Sequence, residues 1–466
     1  MFRSIVINKS TTGYLRRSVW FTMNRCYVSQ TQSTQSTITA VTPGKLTSGV
    51  EAAPSQDSHL RTLSRKELFS LGMIGLTTMT KGSLNTAIKL FPYVPDFVVT
   101  CLVSSLYCGG DNMAAVRQTG RHLRERGIRN MMLSLTIEDT EGTKNINIGD
   151  IVRQTIASLN EVLVPNMVEQ LDSGVHVDSI PPGYLALKPS ALVANPVEVL
   201  RHFNDPNWRK EREQLVENCT AITQAVYDLN QSFSKKYPGR KAPFFVVTID
   251  AEKYDLQKAG VYDLQRILFS RFNPASSHMV SCIGTWQMYL CDAASDLASE
   301  YIRAQRGGYR LGVKLVRGAY LHSEPDRSVI FPTKEDTDKN YNEVAVEVIR
   351  DLLAKGQDSS YGHLVIASHN YESQKLATMM LLSHEGEVGK ANVVLGQLLG
   401  MADNVTFDLV HNHGARNIIK YVPWGPPAET RDYLLRRLQE NGDAVRADNG
   451  WPLVKAVAKS FFKSRL

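Results

Sequence analysis

The first fifty residues of this 466-residue chain contain no aspartate or glutamate, while Arg3, Lys9, Arg16, Arg17 and Arg25 come early. Other absences narrow the field further. The six cysteines form no C-x-x-C pair and no histidine spacing of a zinc site, so they read as reduced packing thiols, and no metal is expected. The tract "HNHG" (His411 to Gly414) lacks a second ligand cluster and reads as a loop. No apolar run reaches the roughly 20 residues of a membrane span. No G-x-G-x-x-G follows a strand-like run, and "GGYRLGVK" lacks the Lys-Ser or Lys-Thr of a phosphate loop. Paired carboxylates suited to glycoside hydrolysis are missing, as is a Ser/His/Asp relay.

The formal net charge of +7 would suit a nucleic-acid partner only if it were spread over the fold. It is not: removing the five basic residues before Tyr27 leaves +2, and no nucleic-acid partner is expected. An acid-free, Arg- and Ser/Thr-rich beginning whose apolar residues are scattered among charges has the composition of a mitochondrial transit peptide, here 1–27. A Ser/Thr/Gln-rich linker is expected over 28–59. A helical region follows over 60–127, in which "LFSLGMIGLTTMT" and "VPDFVVTCLVSSLYCGG" read as amphipathic or buried helices able to dock on a membrane surface.

From 128 to 466 one pattern repeats. Short β-branched, apolar runs end in a polar residue and are followed by helical segments: "NMMLSLTIE", "YLALKPSAL", "PFFVVTIDAE", "MVSCIGTWQMY", "LGVKLVRGAY", "HLVIASHN", "NVVLGQLLG" and "NIIKYVPWG". Eight such units favour an α/β fold of the (β/α)8 TIM-barrel type over a doubly wound sheet. The polar strand ends then mark the site: Lys188, Asp250 with Glu252, Gln287, Lys314, Arg317, Ser368, His369, Asn370, Gln397 and Tyr421. This ring of cations, amides and hydroxyls suits a large anionic ligand with a heterocycle, such as a flavin dinucleotide. Beyond the eighth run, "KYVPWGPPAETRDYLLRRLQENGD" reads as a helix started by Pro-Pro and stopped by Gly442. It carries Tyr433, Arg436, Arg437 and Glu440. The arginine pair reads as a solvated basic face or, across a barrel mouth, as two guanidinium forks on one carboxylate.

The segments "YLLRRLQENG", "KYVPWGPPAET", "LALKPSAL", "TIDAE", "KLVRGAY" and "ASHN" resemble the signatures of the proline dehydrogenases, nearest the fungal mitochondrial enzymes. The resemblance covers about Leu60 to the C-terminus. It implies a distorted barrel with the last helix over its mouth, non-covalent FAD, and oxidation of L-proline to Δ1-pyrroline-5-carboxylate with electrons passed to quinone. It further implies peripheral contact with the matrix side of the inner mitochondrial membrane. Carried onto this chain, Arg436 and Arg437 would pair with the substrate carboxylate, with Lys188 and Glu440 completing a charged network. Asp250 would support Lys188, and Tyr320, Tyr421 and Tyr433 would wall the ring. Gln287, Lys314, Arg317, Gly318, Ala319, Ser368, His369, Asn370 and Gln397 would fall along FAD. Some bacterial members have Arg where this chain has Lys314, and Trp where it has Leu321. The competing activities are hydroxyproline oxidation and a Schiff-base lyase on Lys188.

Overall fold

The computed structural model describes residues 57–77, 79–99, 105–137, 147–321, 323–387, 389–431, 433–435 and 451–463. The expected transit peptide, most of the expected linker, and Arg436, Arg437 and Glu440 lie outside the described residues.

Eight strands, β1 (Asn130–Leu135), β2 (Gly183–Leu187), β3 (Phe245–Ile249), β4 (Cys282–Gln287), β5 (Leu311–Val316), β6 (Tyr361–Ala367), β7 (Val393–Leu398) and β8 (Ile418–Trp424), close in sequence order into one barrel. Every pairing is parallel, and β8 returns to β1 with Asn130 opposite Ile419 and Leu135 opposite Trp424. The strands read as nearly unbroken apolar runs because each is buried on both faces. One face fills the barrel with Met132, Tyr184, Ala186, Val246, Ile283, Val365, Val394 and Ile419. The other packs Leu133, Leu185, Val247, Leu364 and Leu395 against the surrounding helices. Since inward and outward positions alternate, this two-residue parity fixes which polar strand-end residue enters the barrel.

The connecting helices carry their own start and stop signals. Thr333 caps the helix Lys334–Lys355 by accepting from the Asp336 amide, acids occupy the first turn, and Gly356 follows with φ +56. Asn370 caps Tyr371–Ser383 in the same way, through the Ser373 amide at 3.0 Å. In the helical stretch after β3, a π-turn over Gln257–Val261 sets Gln257 inward, where its Oε1 accepts from the Glu252 amide at 3.0 Å.

The N-terminal helices Arg65–Thr77 and Lys81–Leu90 sit beside the barrel rather than inside its repeat. Leu68 of the first packs with Leu60 and with Val457 of the helix Trp451–Lys463. Its opposite face leaves Phe69, Met73 and Leu76 exposed, so the helix carries apolar residues on both sides. Among the described residues no helix is long and apolar enough to cross a membrane.

Candidate active site

Inward parity along β3 passes through Val246 and Thr248 and reaches Asp250, one residue beyond the strand. Its amide donates to the Leu187 carbonyl at 2.9 Å, which fixes the turn. From β5, Lys314 also points inward, is 6 % exposed, and places Nζ 2.5 Å from Asp250 Oδ1. From β8, the Tyr421 hydroxyl lies 3.0 Å from Asp250 Oδ2 and 2.8 Å from Ser134 Oγ of β1. A phenol has one proton and an ionised carboxylate only accepts, so Tyr421 donates to Asp250 and takes the Ser134 hydroxyl as its own donor. Burial pushes the Tyr421 phenol well above its usual range, and the neighbouring Asp250 carboxylate adds to this. Tyr433, on the chain after β8, adds a smaller push in the same direction.

Lys188 continues the inward series of Tyr184 and Ala186 one step past β2, is half-buried, and opens the turn Pro189–Ala191. The described ion-pair partner of Asp250 is Lys314, a residue expected along the cofactor, whereas Asp250 was expected to support Lys188. The pairing crosses two strand boundaries, from β3 to β5, so no local spacing announces it.

A second group of contacts joins the ends of β3, β4 and β5. Gln287 is 1 % exposed; its Nε2 donates to the Glu252 carbonyl at 2.9 Å and its Oε1 accepts from the Ala319 amide at 3.1 Å. The Tyr320 hydroxyl donates to the Ala251 carbonyl at 3.0 Å. Gly318 must be glycine for close approach, since a Cβ there would stand 2.4 Å from the Tyr289 ring. Gly318 and Ala319 are themselves exposed.

The third group lies at the ends of β5 and β6. Arg317 donates through Nη2 to Ser373 Oγ at 2.7 Å, through Nη1 to Ser368 Oγ, and through Nε to Asp338 at 2.8 Å, while its guanidinium sits 4.4 Å over the Tyr341 ring. His369 accepts from the Leu398 amide through Nε2 at 3.1 Å, which leaves its ring proton on Nδ1.

Gln397 goes elsewhere. Val394 and Gly396 of β7 take the inward parity, so Gln397 faces outward, where its Oε1 accepts from Lys420 Nζ at 3.0 Å and from the Thr406 hydroxyl. Lys420, 1 % exposed, also reaches Asp403 at 2.7 Å and the Met401 carbonyl at 3.0 Å. Burial pulls the Lys420 ammonium down; burial lifts the Asp403 carboxyl, but the Lys420 charge more than offsets it and leaves Asp403 low. Gln397 is therefore not brought to the Asp250 group. Strand parity was the available signal.

Glu252, a polar residue at the end of β3, accepts from the Ser190 amide through Oε1 at 3.3 Å, and its Oε2 lies 3.4 Å from the Tyr320 hydroxyl, sharing that proton with the Ala251 carbonyl. One residue that no sequence cue singled out completes the picture: Ser134, 1 % exposed against Tyr421. Among the described residues no group of three or more His, Cys, Asp or Glu is placed to hold a metal ion.

A closed parallel barrel whose C-terminal strand ends present an acid, lysines, a tyrosine and an arginine-serine cluster defines a TIM-type (β/α)8 protein with its site at that end. This chain belongs to the proline dehydrogenase family, whose model matches residues 195–449, from before β3 to beyond β8. Proline dehydrogenase 1, mitochondrial, of Dictyostelium discoideum is 35% identical over 204 residues, which are 42% of this chain and 34% of that protein. The probable mitochondrial proline dehydrogenase of Schizosaccharomyces pombe is 27% identical over 387 residues, 73% of this chain and 75% of that one. The chain thus spans about a third of the first relative and three quarters of the second. In fold it is similar to proline utilization A from Bdellovibrio bacteriovorus inactivated by N-propargylglycine, with a TM-score of 0.61, 14% identity, and coverage of 86% of this chain and 42% of that one.

Proposed function

We propose that this protein catalyses flavin-dependent oxidation of L-proline to Δ1-pyrroline-5-carboxylate in the mitochondrion, with electrons passed to quinone. The observation that carries this reading is the family match across residues 195–449, which spans every strand from β3 to β8. The names of the mitochondrial relatives and the acid-free N-terminus support the compartment.

The donor set fits FAD. Arg317 uses three of its N–H groups on Asp338, Ser368 and Ser373, beside the N-terminus of Tyr371–Ser383, a combination of cation, hydroxyls and helix end that suits a pyrophosphate. The exposed Gly318–Ala319 backbone and the Gln287 amide offer edges for a flat heterocycle. The chemistry that the flavin brings when bound is two-electron acceptance of the hydride from the ring carbon beside nitrogen.

The chain itself has three tasks. Arg436 and Arg437 grip the carboxylate, and Lys188 and Glu440 complete a charged network around it. Tyr320, Tyr421 and Tyr433 wall the ring, and the Asp250–Lys314 pair fixes the Tyr421 hydroxyl so that the wall does not rotate. The substrate nitrogen loses its proton to solvent before or with hydride departure, so little acid-base machinery is required. Peripheral attachment to the inner membrane belongs to the same proposal, supported by exposed Phe69, Met73 and Leu76 on one helix face beside Lys66.

The test is a steady-state assay of the purified full chain with L-proline, hydroxyproline and a soluble quinone. A yellow protein that reduces quinone with proline, and in which Arg436→Met or Arg437→Met raises KM roughly ten-fold or more with flavin retained, is the expected result. A colourless protein trapped on substrate by borohydride would instead establish Schiff-base chemistry at Lys188.

A further inference from the structure

The helical residues 427–431 and 433–435 follow β8 and lead in sequence to Arg436 and Arg437. Within them Leu434 is fully buried in a cluster with Ile74, Phe91, Val99, Tyr107 and Cys108, and Tyr433 and Leu435 pack against the same cluster. This segment therefore leaves the C-terminal end of β8 and packs at once on the N-terminal helices.

Arg431 stands one turn before Leu434. Its Nη2 donates to the Phe91 carbonyl at 2.8 Å, to the Pro92 carbonyl at 3.3 Å and to the Val94 carbonyl, and its guanidinium lies 5.5 Å from the centre of the Phe91 ring. The acceptors belong to and follow the short 3-10 turn Phe91–Tyr93 that ends the helix Lys81–Leu90, where the Phe91 carbonyl also accepts from the Val94 amide at 3.2 Å and uses its second lone pair for Arg431. One guanidinium thus supplies three acceptors from a segment about 340 residues away.

We propose that Arg431 is a positioning residue: a bracket that uses the Phe91–Val94 turn to hold the segment carrying Tyr433 at the barrel end. The N-terminal helices then serve as the back wall of the site. This inference rests on the functional reading only for its kinetic consequence.

The experiment uses the full-length chain with Arg431→Met, which keeps the apolar stem, and Arg431→Lys, which keeps the charge without the planar fork. Arg431→Met should raise KM for proline about five- to twenty-fold with kcat within about two-fold and flavin content unchanged, and Arg431→Lys should fall between it and wild type. Hydrogen exchange should accelerate roughly ten-fold or more at the amides of 427–435 while the barrel strands keep their protection. Unchanged KM together with unchanged exchange would overturn the bracket, as would an equal loss of protection throughout the strands. Should the wild-type chain fail to oxidise proline, the functional reading falls, and the exchange measurement alone decides whether Arg431 holds the segment.

Discussion

At the N-terminal end of the barrel the Tyr184 hydroxyl meets His363 Nε2 at 2.6 Å; at the C-terminal end the Tyr421 hydroxyl meets Asp250 at 3.0 Å. Both tyrosines point inward and both partners titrate, yet the two groups differ in what surrounds them. Around Tyr184 and His363, Asn392 completes the imidazole at 3.3 Å, and the fully buried Arg240 donates to the carbonyls of Val177, Ala242 and Pro243 while stacking 4.7 Å from the Phe244 ring. Burial lowers the His363 pKa to about 4, so the ring is neutral at ordinary pH, and it lowers that of Arg240 to about 10. Every group there answers to another protein group. Around Asp250 and Tyr421, by contrast, Lys188 is half-buried, Tyr320 is half-buried, and Gly318 and Ala319 are exposed. A polar cluster closed on itself stabilises the barrel; one left partly open at the strand ends is available for a ligand.

The contrast breaks most visibly at Asp250. Asp250→Asn keeps a group for Tyr421 but leaves Lys314, 6 % exposed, without its counter-charge. It should lower kcat/KM for proline by about a hundred-fold or more, with the circular dichroism spectrum preserved. A variant within a few-fold of wild type would remove the acid from the site.

The N-terminal end should show itself through pH rather than turnover. His363 has its folded pKa depressed from 6.5 to about 4, so the unfolded chain binds the proton first as pH falls. Its contribution is complete above about pH 6.5, declines as pH falls toward 4, and stops declining below that, for a total of up to about 3 kcal/mol. Denaturant midpoints measured from pH 7 to 4 should fall less steeply in a Tyr184→Phe/His363→Leu double variant than in wild type. Parallel curves would show that this histidine does not set the acid sensitivity.

Tyr184→Phe alone removes one donor from a buried imidazole and should cost about 1–2 kcal/mol of stability while proline turnover at 25 °C stays within roughly two-fold. A larger change in turnover than in stability would mean that the two ends are coupled. The smallest effect is expected from Ser134→Ala, which deletes the second contact of the Tyr421 hydroxyl: KM for proline should rise about two- to five-fold with the melting temperature nearly unchanged. An unaltered KM would assign Ser134 to packing alone.

The eight strands were legible because parallel strands buried on both faces leave continuous runs such as "FVVTI" and "YGHLVIA" in the sequence. The runs read from sequence extend past the strands at their C-terminal ends, since residues such as Asp250 and Tyr320 belong to the loops that begin there. Asp250, Lys314 and Tyr421 could each be picked out as polar strand ends, but not their mutual contact, because β3, β5 and β8 meet only once the barrel closes. Gln397 shows the converse: alternation along "VVLGQL" marks it as outward-facing, a signal that a search for polar strand ends passes over. Ser134 and Arg431 had no cue at all, one being a small residue within an apolar strand and the other one of three arginines between positions 431 and 437.

What the sequence by itself determined is the repeat, the inward and outward faces, and the family, because hydrophobic periodicity and short motifs are local properties of the chain. Which acid neutralises Lys314, which hydroxyl restrains Tyr421 and which turn receives Arg431 were decided only in three dimensions. Those contacts join residues tens to hundreds of positions apart, and their strength depends on burial that no single segment creates.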